Sequence, residues 1–262
     1  MTRTITSVTN ACDIIKFIRE HGEVTVSQVA GEIDLTPSTV HTYLATLRAA
    51  NYVLKEGGAY RLGPQLLTLG ESVRHHNKLF RAAKEQVEEL SEETGESVHL
   101  IIEHDGKLFG LYERFGENAV GIEYHNRKRE QALNHLHCTA AGKAILSELP
   151  DDEVEAILEK SGMPRNTSQT ITDRDRLLEA LATTRERGCA HADEEQMDGL
   201  RAVGAPVVTP QTGVIGAIAV SGPTARLSGE RFEETIPDMV VQAANICEIN
   251  LQTVETVSEE PT

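Results

Sequence analysis

The sequence predicts an α+β protein in two parts: an N-terminal winged helix-turn-helix domain, then a larger α+β domain with a largely antiparallel sheet. Three observations predict it. Residues 27–51 hold two short helix-periodic runs joined by a tight turn. Residues 52–62 hold two strand-like runs around Gly57-Gly58, and Gly-Gly supplies the positive φ angles that a tight hairpin needs. Beyond residue 95, strand and helix signals mix without strict βαβ alternation, which disfavours a parallel sheet.

The elements follow in order. Ile5–His21 reads as a helix with Val8, Ala11, Ile14, Ile15 and Ile18 on its apolar face, stopped by Gly22. Ser27 suits the N-cap of the next helix, where Val29, Ala30 and Ile33 face inward. Asp34-Leu35-Thr36 is the turn. Thr36 caps the second helix and Pro37 takes its first position, where a missing N–H costs nothing. Val40, Leu44 and Leu47 recur at helical spacing and point inward. Ser38, Thr39, His41, Thr42 and Ala45 are left outside. A helix with small hydrogen-bonding residues near its exposed N-terminus can enter the DNA major groove. An ordinary helical hairpin is the alternative, and the hairpin at 52–62, read as a wing, decides against it. Ser27, Gln28, Thr36, Ser38, Thr39, His41, Thr42 and Arg48 are the candidate DNA-binding residues of the helix pair. Lys55 and Arg61 are the wing's candidates for phosphate.

Gln65–His76 is a helix with Leu66, Leu67, Leu69 and Val73 apolar; such a helix at a boundary suits a dimer contact or packs on its own domain. Phe80–Thr94 is amphipathic and ends at Gly95. Ser97–Glu103 and Lys107–Arg114 form a hairpin through His104-Asp105-Gly106, and Asn118–His125 is a third strand candidate. Helices follow at Cys138–Leu149, Asp151–Lys160 and Thr172–Arg187. Ala202–Val208 and Val214–Ser221 are strands, and Glu230–Leu251 is the last helix.

Composition narrows the function. The chain has 262 residues, no Trp and a net charge of −16. Residues 1–66 hold six basic and six acidic residues, so the remainder carries all of the charge, with nineteen basic against thirty-five acidic. A high-salt cytoplasm explains such an acidic surface; a mildly acidic bacterial-type protein is the alternative. No apolar run approaches the ~20 residues of a membrane span, and residues 1–10 lack the apolar stretch of a signal peptide. Cys12, Cys138, Cys189 and Cys247 show no CxxC spacing, which disfavours a disulfide framework. A cytoplasmic protein is expected.

Several motifs in fixed order resemble the IclR-type (isocitrate lyase regulator) transcription factors. They are Ser38-Thr39-Val40-His41, Leu44-Ala45-Thr46-Leu47, Tyr60-Arg61-Leu62-Gly63, Glu93-Thr94-Gly95-Glu96, the run from His137 to Leu146, Asp193-Glu194-Glu195 with Gly199-Leu200-Arg201, and Ser221-Gly222-Pro223. The match spans about Ile5 to Leu251. It implies a winged-helix domain at 1–64, a linker helix at 65–77 and a GAF/PAS-like effector-binding domain at 78–252; the residues beyond, 253–262, read as a disordered acidic tail. It also implies a homodimer or dimer of dimers, a palindromic double-stranded DNA operator near catabolic genes, and a small carboxylate effector. Two departures stand in the recognition helix. Relatives commonly carry a basic residue where Pro37 stands and an Arg where Thr42 stands, so phosphate anchoring should be weaker here.

Thr139-Ala140-Ala141-Gly142 are small residues at a helix start, where backbone N–H groups and the helix dipole favour an anion; simple close packing is the alternative. The resemblance makes the Ala140 and Ala141 main chain the carboxylate holder and adds Ala192 or Asp193, Ala202, Ala219 and Ser221 to the pocket. Three alanines imply a larger or more apolar effector than a two- or three-carbon acid, such as a sugar acid or aromatic acid. No cofactor is expected. The rival readings are an enzyme using His137, Cys138 and Lys143, a thiol- or metal-responsive sensor using Cys138, Cys189, His135, His137 and His191, and a constitutive DNA binder with an empty pocket. Arg127-Lys128-Arg129 reads as a solvated loop rather than a second nucleic-acid patch.

Overall fold

The structure, a computed structural model, describes residues 4–119 and 135–258 and divides into two compact units, Met1–His76 and Asn77–Thr262.

The first unit holds α1 (Thr6–His21), α2 (Val26–Glu32), α3 (Pro37–Ala49), the hairpin β1 (Val53–Glu56) and β2 (Ala59–Leu62), and α4 (Gln65–His76). Its core is Ile14, Ile18, Val29, Val40, Leu44, Leu47, Val53 and Tyr60. Val8, expected on the apolar face of α1, is exposed instead, as is Ile5; the fully buried stripe begins at Ile14, with Ala11 partly buried against the same core and Asn10 donating to Tyr43 Oη at 3.3 Å. The cap of α2 is Thr25, not Ser27. Thr25 Oγ1 accepts from Gln28 N while Gln28 Oε1 accepts from Thr25 N, a reciprocal capping box. Gly57 and Gly58 both have positive φ, 55° and 93°, as the two-residue hairpin turn requires. Helix α4 buries none of its residues.

The second unit is a three-layer arrangement around one antiparallel sheet of order β4-β3-β7-β6-β5. The strands are β3 (Ser97–His104), β4 (Lys107–Phe115), β5 (Ala190–Asp193), β6 (Leu200–Thr209) and β7 (Gly213–Pro223). Helices α5 (Lys78–Thr94) and α9 (Ile236–Ser258) cover one face, burying Val87, Leu90, Val240 and Leu251 against Leu100, Val203, Ile218 and Val220. Helices α6 (Ala140–Ser147), α7 (Asp151–Ser161) and α8 (Arg174–Arg187) cover the other, with Ile145, Leu158 and Leu177 against Ile101, Ala190, Ala217 and Ala219. Alternate residues of each strand serve opposite layers, as the period of 2 demands.

Two expectations are corrected and one element is added. The segment before Asp193, given no element from sequence, is the edge strand β5; at four residues it is too short to show alternation. Cys138 lies in a 3-10 turn (Leu136–Cys138) before α6 rather than in the helix. Helix α9 runs on to Ser258, so residues 253–258 continue a helix instead of opening a disordered tail. Of the proposed strand at 118–125, Asn118 and Ala119 lie outside any strand, and the rest falls outside the described residues, as does Arg127-Lys128-Arg129.

Two ion pairs tie the second unit together. Glu96, after α5, is gripped by Arg226 through Nε at 2.7 Å and Nη2 at 2.6 Å, a bidentate clasp onto the chain leaving β7. Lys143 of α6 is bonded to Glu195, with both side chains buried. Burial pushes the Glu195 carboxyl above its ordinary range, and Lys143 opposes that rise. Removing one partner of a buried pair strands the other charge, at about 3–5 kcal/mol. Lys143→Met is therefore expected to cost about that much in urea denaturation, and Lys143→Met combined with Glu195→Leu to recover most of it.

Candidate functional site

The first unit presents its candidates on α3. Thr36 caps the helix, accepting from Thr39 N at 3.3 Å, and its hydroxyl sits 2.8 Å from Thr39 Oγ1. With Val40, Leu44 and Leu47 fixed in the core, Ser38, Thr39, His41, Thr42, Ala45 and Arg48 are all exposed. Thr42 Oγ1 donates to Ser38 O at 3.1 Å, so part of that hydroxyl's capacity is used within the helix. Ser27 and Gln28 are exposed on α2, although Gln28 is engaged in the capping box. On the wing, Arg61 is paired with Glu56, and Lys55 Nζ lies 5.3 Å from the Tyr60 ring centroid. A phosphate must compete with Glu56 for Arg61.

In the second unit the N-terminus of α6 meets the sheet. Thr139 caps it, Oγ1 accepting from Gly142 N at 3.0 Å, and the first intrahelical bond runs from Lys143 N to Thr139 O at 2.9 Å. Helix geometry leaves the Ala140 and Ala141 amides without intrahelical acceptors. Two glycines bring this turn close. A Cβ on Gly142 would stand 2.3 Å from Leu136 O, and one on Gly204 of β6 would stand 2.9 Å from Ala140 C and Ala141 N. Ala140, Ala192 and Ala202 form a small buried cluster at the contact.

Strand register arranges the floor. One row across the sheet is Ala192, Ala202, Ser221 and Ser97; the next is Ala190, Gly204, Ala219, His99 and Glu113. Directly opposed residues of antiparallel strands share a face, so both rows face α6. Of the two adjacent candidates, Ala192 is on this face. Asp193 points away: its carboxylate is exposed and clasped by Arg201, Nε at 2.6 Å and Nη2 at 3.1 Å. Sequence reasoning missed His99 and Glu113. Ser221 Oγ is 2.8 Å from His99 Nε2, and Glu113 Oε1 is 2.5 Å from His99 Nδ1. The three come together only through strand pairing, and nothing local to any of them signals it.

The thiol and metal reading fails on geometry. His137 Nε2 is 3.1 Å from Pro164 O, and Asn166 Nδ2 donates to Cys138 Sγ at 3.3 Å on the α6 side. Cys189 belongs to the core on the opposite face, where His191 Nε2 meets Phe232 O at 3.1 Å. Among the described residues no three His, Cys, Asp or Glu side chains group closely enough to hold a metal. Burial pushes the Cys138 thiol up to about 12 and raises Cys189 as well, the opposite of what a reactive thiolate needs. No helix among the described residues is long and apolar enough to cross a membrane.

A winged-helix unit with an exposed, polar recognition face, joined to a sheet domain with a small-residue helix start, defines a DNA-binding transcriptional regulator. The comparisons agree. The model of the IclR helix-turn-helix domain matches residues 7–57, and that of the bacterial transcriptional regulator IclR C-terminal domain matches residues 71–248. The probable HTH-type transcriptional regulator ArcR of Halobacterium salinarum is 40% identical over 252 residues, covering 96% of this chain and 95% of ArcR. A solved structure of a transcriptional regulator from Rhodococcus sp. RHA1 shares 29% identity with a TM-score of 0.80, covering 96% of this chain and 100% of that one. An IclR homologue from Microbacterium hydrocarbonoxydans, solved with 4-hydroxybenzoate, shares the fold at 20% identity and a TM-score of 0.72, over 88% of this chain and 92% of its own. The chain belongs to the IclR family of transcriptional regulators. It is a regulator and not an enzyme.

Thiol accessibility checks the rejected sensor. Cys12 is exposed while Cys138, Cys189 and Cys247 are buried, with burial pushing Cys247 also to about 12. Ellman titration of the native protein is expected to release one equivalent promptly, and four only after denaturation.

Proposed function

We propose that the chain controls catabolic genes by binding a palindromic operator as a homodimer, or dimer of dimers, in the cytoplasm, under the control of a carboxylate effector. The observation that carries the effector reading is the start of α6: two amides without intrahelical acceptors, held against an alanine-lined floor beside Ser221. Ala140 and Ala141 would hold the carboxylate through their main chain, at the positive end of a helix. Ala192, Ala202 and Ala219 leave room for a sugar acid or an aromatic acid, and the 4-hydroxybenzoate held by the Microbacterium relative is of that class.

The exposed face of α3, with Ser38, Thr39, His41, Thr42 and Arg48, would enter the major groove, and Lys55 and Arg61 of the wing would meet phosphate. Dimerisation is supported by α4, where Leu67 and Val73 are 73% and 66% exposed; apolar side chains so open to water favour a partner. The effector would act by binding DNA-competent and DNA-incompetent arrangements with different affinity. The charge of −16 supports operation in high salt.

Selection from a random duplex library is expected to enrich an inverted repeat with half-site centres about 34–36 Å apart. His41→Ala should weaken binding, and Leu67→Asp with Val73→Asp should yield monomers that no longer select the repeat. Enrichment of single half-sites by the native protein would overturn the dimeric reading. Thermal melting in molar potassium chloride should rise with sugar or aromatic acids, by about 2.7 kcal/mol of stabilisation at 100 times Kd. Tight binding of glyoxylate or pyruvate would count against the larger effector.

A further inference from the structure

The line of α3 opposite its core holds no side chain of the kind that reads guanine with two hydrogen bonds. Val40, Leu44 and Leu47 face inward. Ser38, Thr42, Ala45 and Ala49, at i, i+4, i+7 and i+11, run down the opposite side, and all four are exposed. Guanine offers the major groove only acceptors, N7 and O6, and Arg or Lys is what most often takes both. The outward line has neither; His41 and Arg48 stand on one flank of it.

The hydroxyl hydrogens decide what the threonines can offer. Thr42 Oγ1 donates to Ser38 O at 3.1 Å, and Thr46 Oγ1, one turn on, donates to Thr42 O at 2.9 Å. A carbonyl oxygen only accepts, so the direction of both bonds is fixed. With that hydrogen turned back to the helix, Thr42 keeps a methyl group and an oxygen lone pair for a partner, and nothing to donate to guanine. The apolar group that base edges show in the major groove is the C5-methyl of thymine, and a threonine methyl is a fitting contact for it.

We propose that Thr42 reads thymine by its methyl group, so that each half-site selects thymine at the position Thr42 faces. This rests on the reading of α3 as the groove-entering helix given above, and narrows it to one base and one atom of it. Ala45 and Ala49, short on either side, let the helix come close enough for carbon to meet carbon. The contact is uncharged, so it does not fade as salt weakens phosphate contacts.

The test uses the full chain and the duplex enriched from the random library. Each thymine of the half-site is replaced in turn by deoxyuridine, which removes the methyl and leaves the base pair. The native protein is expected to lose about fourfold in affinity at one or more positions, the worth of one buried carbon. At one such position Thr42→Ser, which removes the side-chain methyl and keeps the hydroxyl, should bind the thymine and deoxyuridine duplexes equally. Thr42→Val, which keeps the methyl and removes the hydroxyl, should hold the preference. The preference should be the same in dilute and in molar potassium chloride while the affinity itself falls. A role in helix stability alone would shift the melting temperature and leave the preference in both variants. Native binding indifferent to every replacement, or a preference that Thr42→Ser keeps at every position, overturns the role of the methyl. So does a preference lost equally in Thr42→Ser and Thr42→Val. If the library yields no enriched sequence, the reading of α3 as the DNA-binding helix falls first, and this inference with it.

Discussion

The second unit depends on one close approach, backbone against backbone, between the first turn of α6 and strand β6. Neither Gly142 nor Gly204 has room for a Cβ. A side chain at Gly204 would lift the helix start away from the sheet, and one at Gly142 would drive the helix off the preceding turn at Leu136. The alanines around it, Ala140, Ala192 and Ala202, follow from the same constraint. What sequence composition shows as a run of small residues is the packing condition for bringing a helix N-terminus down onto the sheet. The loop beyond β5 is held in kind: Thr167 Oγ1 donates to Glu194 O and Thr170 Oγ1 to Glu195 O, each at 2.7 Å. Glu195 is thereby fixed for Lys143, one turn into α6. The helix start is pinned from both sides before any ligand arrives, which lowers the ordering cost of binding.

The first unit meets DNA with little charge. Its basic and acidic residues balance over residues 1–66, and Arg61 is already paired with Glu56. Phosphate neutralisation scales the salt dependence of binding. A unit with few free cations loses less affinity as salt rises and relies more on fit and on base contacts. The hydroxyls of Ser38, Thr39 and Thr42 and the ring of His41 suit that role.

Much of this was legible in the sequence, for physical reasons that differ by element. The winged unit is local: Val40, Leu44 and Leu47 recur at helical spacing, Thr36 and Pro37 mark a start, and Gly57-Gly58 marks a tight hairpin turn. Its sequence misleads at two points: Ser27 suits the α2 cap where Thr25, two residues earlier, serves, and Val8 sits at apolar spacing in α1 although it is exposed. The start of α6 was legible because its small residues are contiguous. Strand β5 was not, because four residues carry too little periodicity. Asp193 was misplaced beside Ala192 because one residue of register reverses the face. His99 and Glu113 were invisible: their relation to Ser221 is set by the pairing of β3 with β4 and β7, across 122 residues of chain.

The anionic effector proposed for this chain and its strongly acidic domain look opposed, and the construction of the candidate site would resolve the opposition. Lys143, in the first turns of α6, is already neutralised by Glu195. Attraction for a carboxylate therefore comes from the backbone amides and dipole at the α6 start rather than from free side-chain charge. Mobile salt screens exposed charges over about 8 Å at 0.15 M and about 3 Å at 1 M, but screens buried ones far less. A surface cluster of Arg and Lys would lose its grip in concentrated salt. Amides buried under a helix turn and against a sheet are screened less, so they would keep more of theirs. The acidic exterior and the dipolar interior would thus be compatible answers to a high-salt solvent: the surface stays hydrated, and the proposed recognition is moved to where salt screens less.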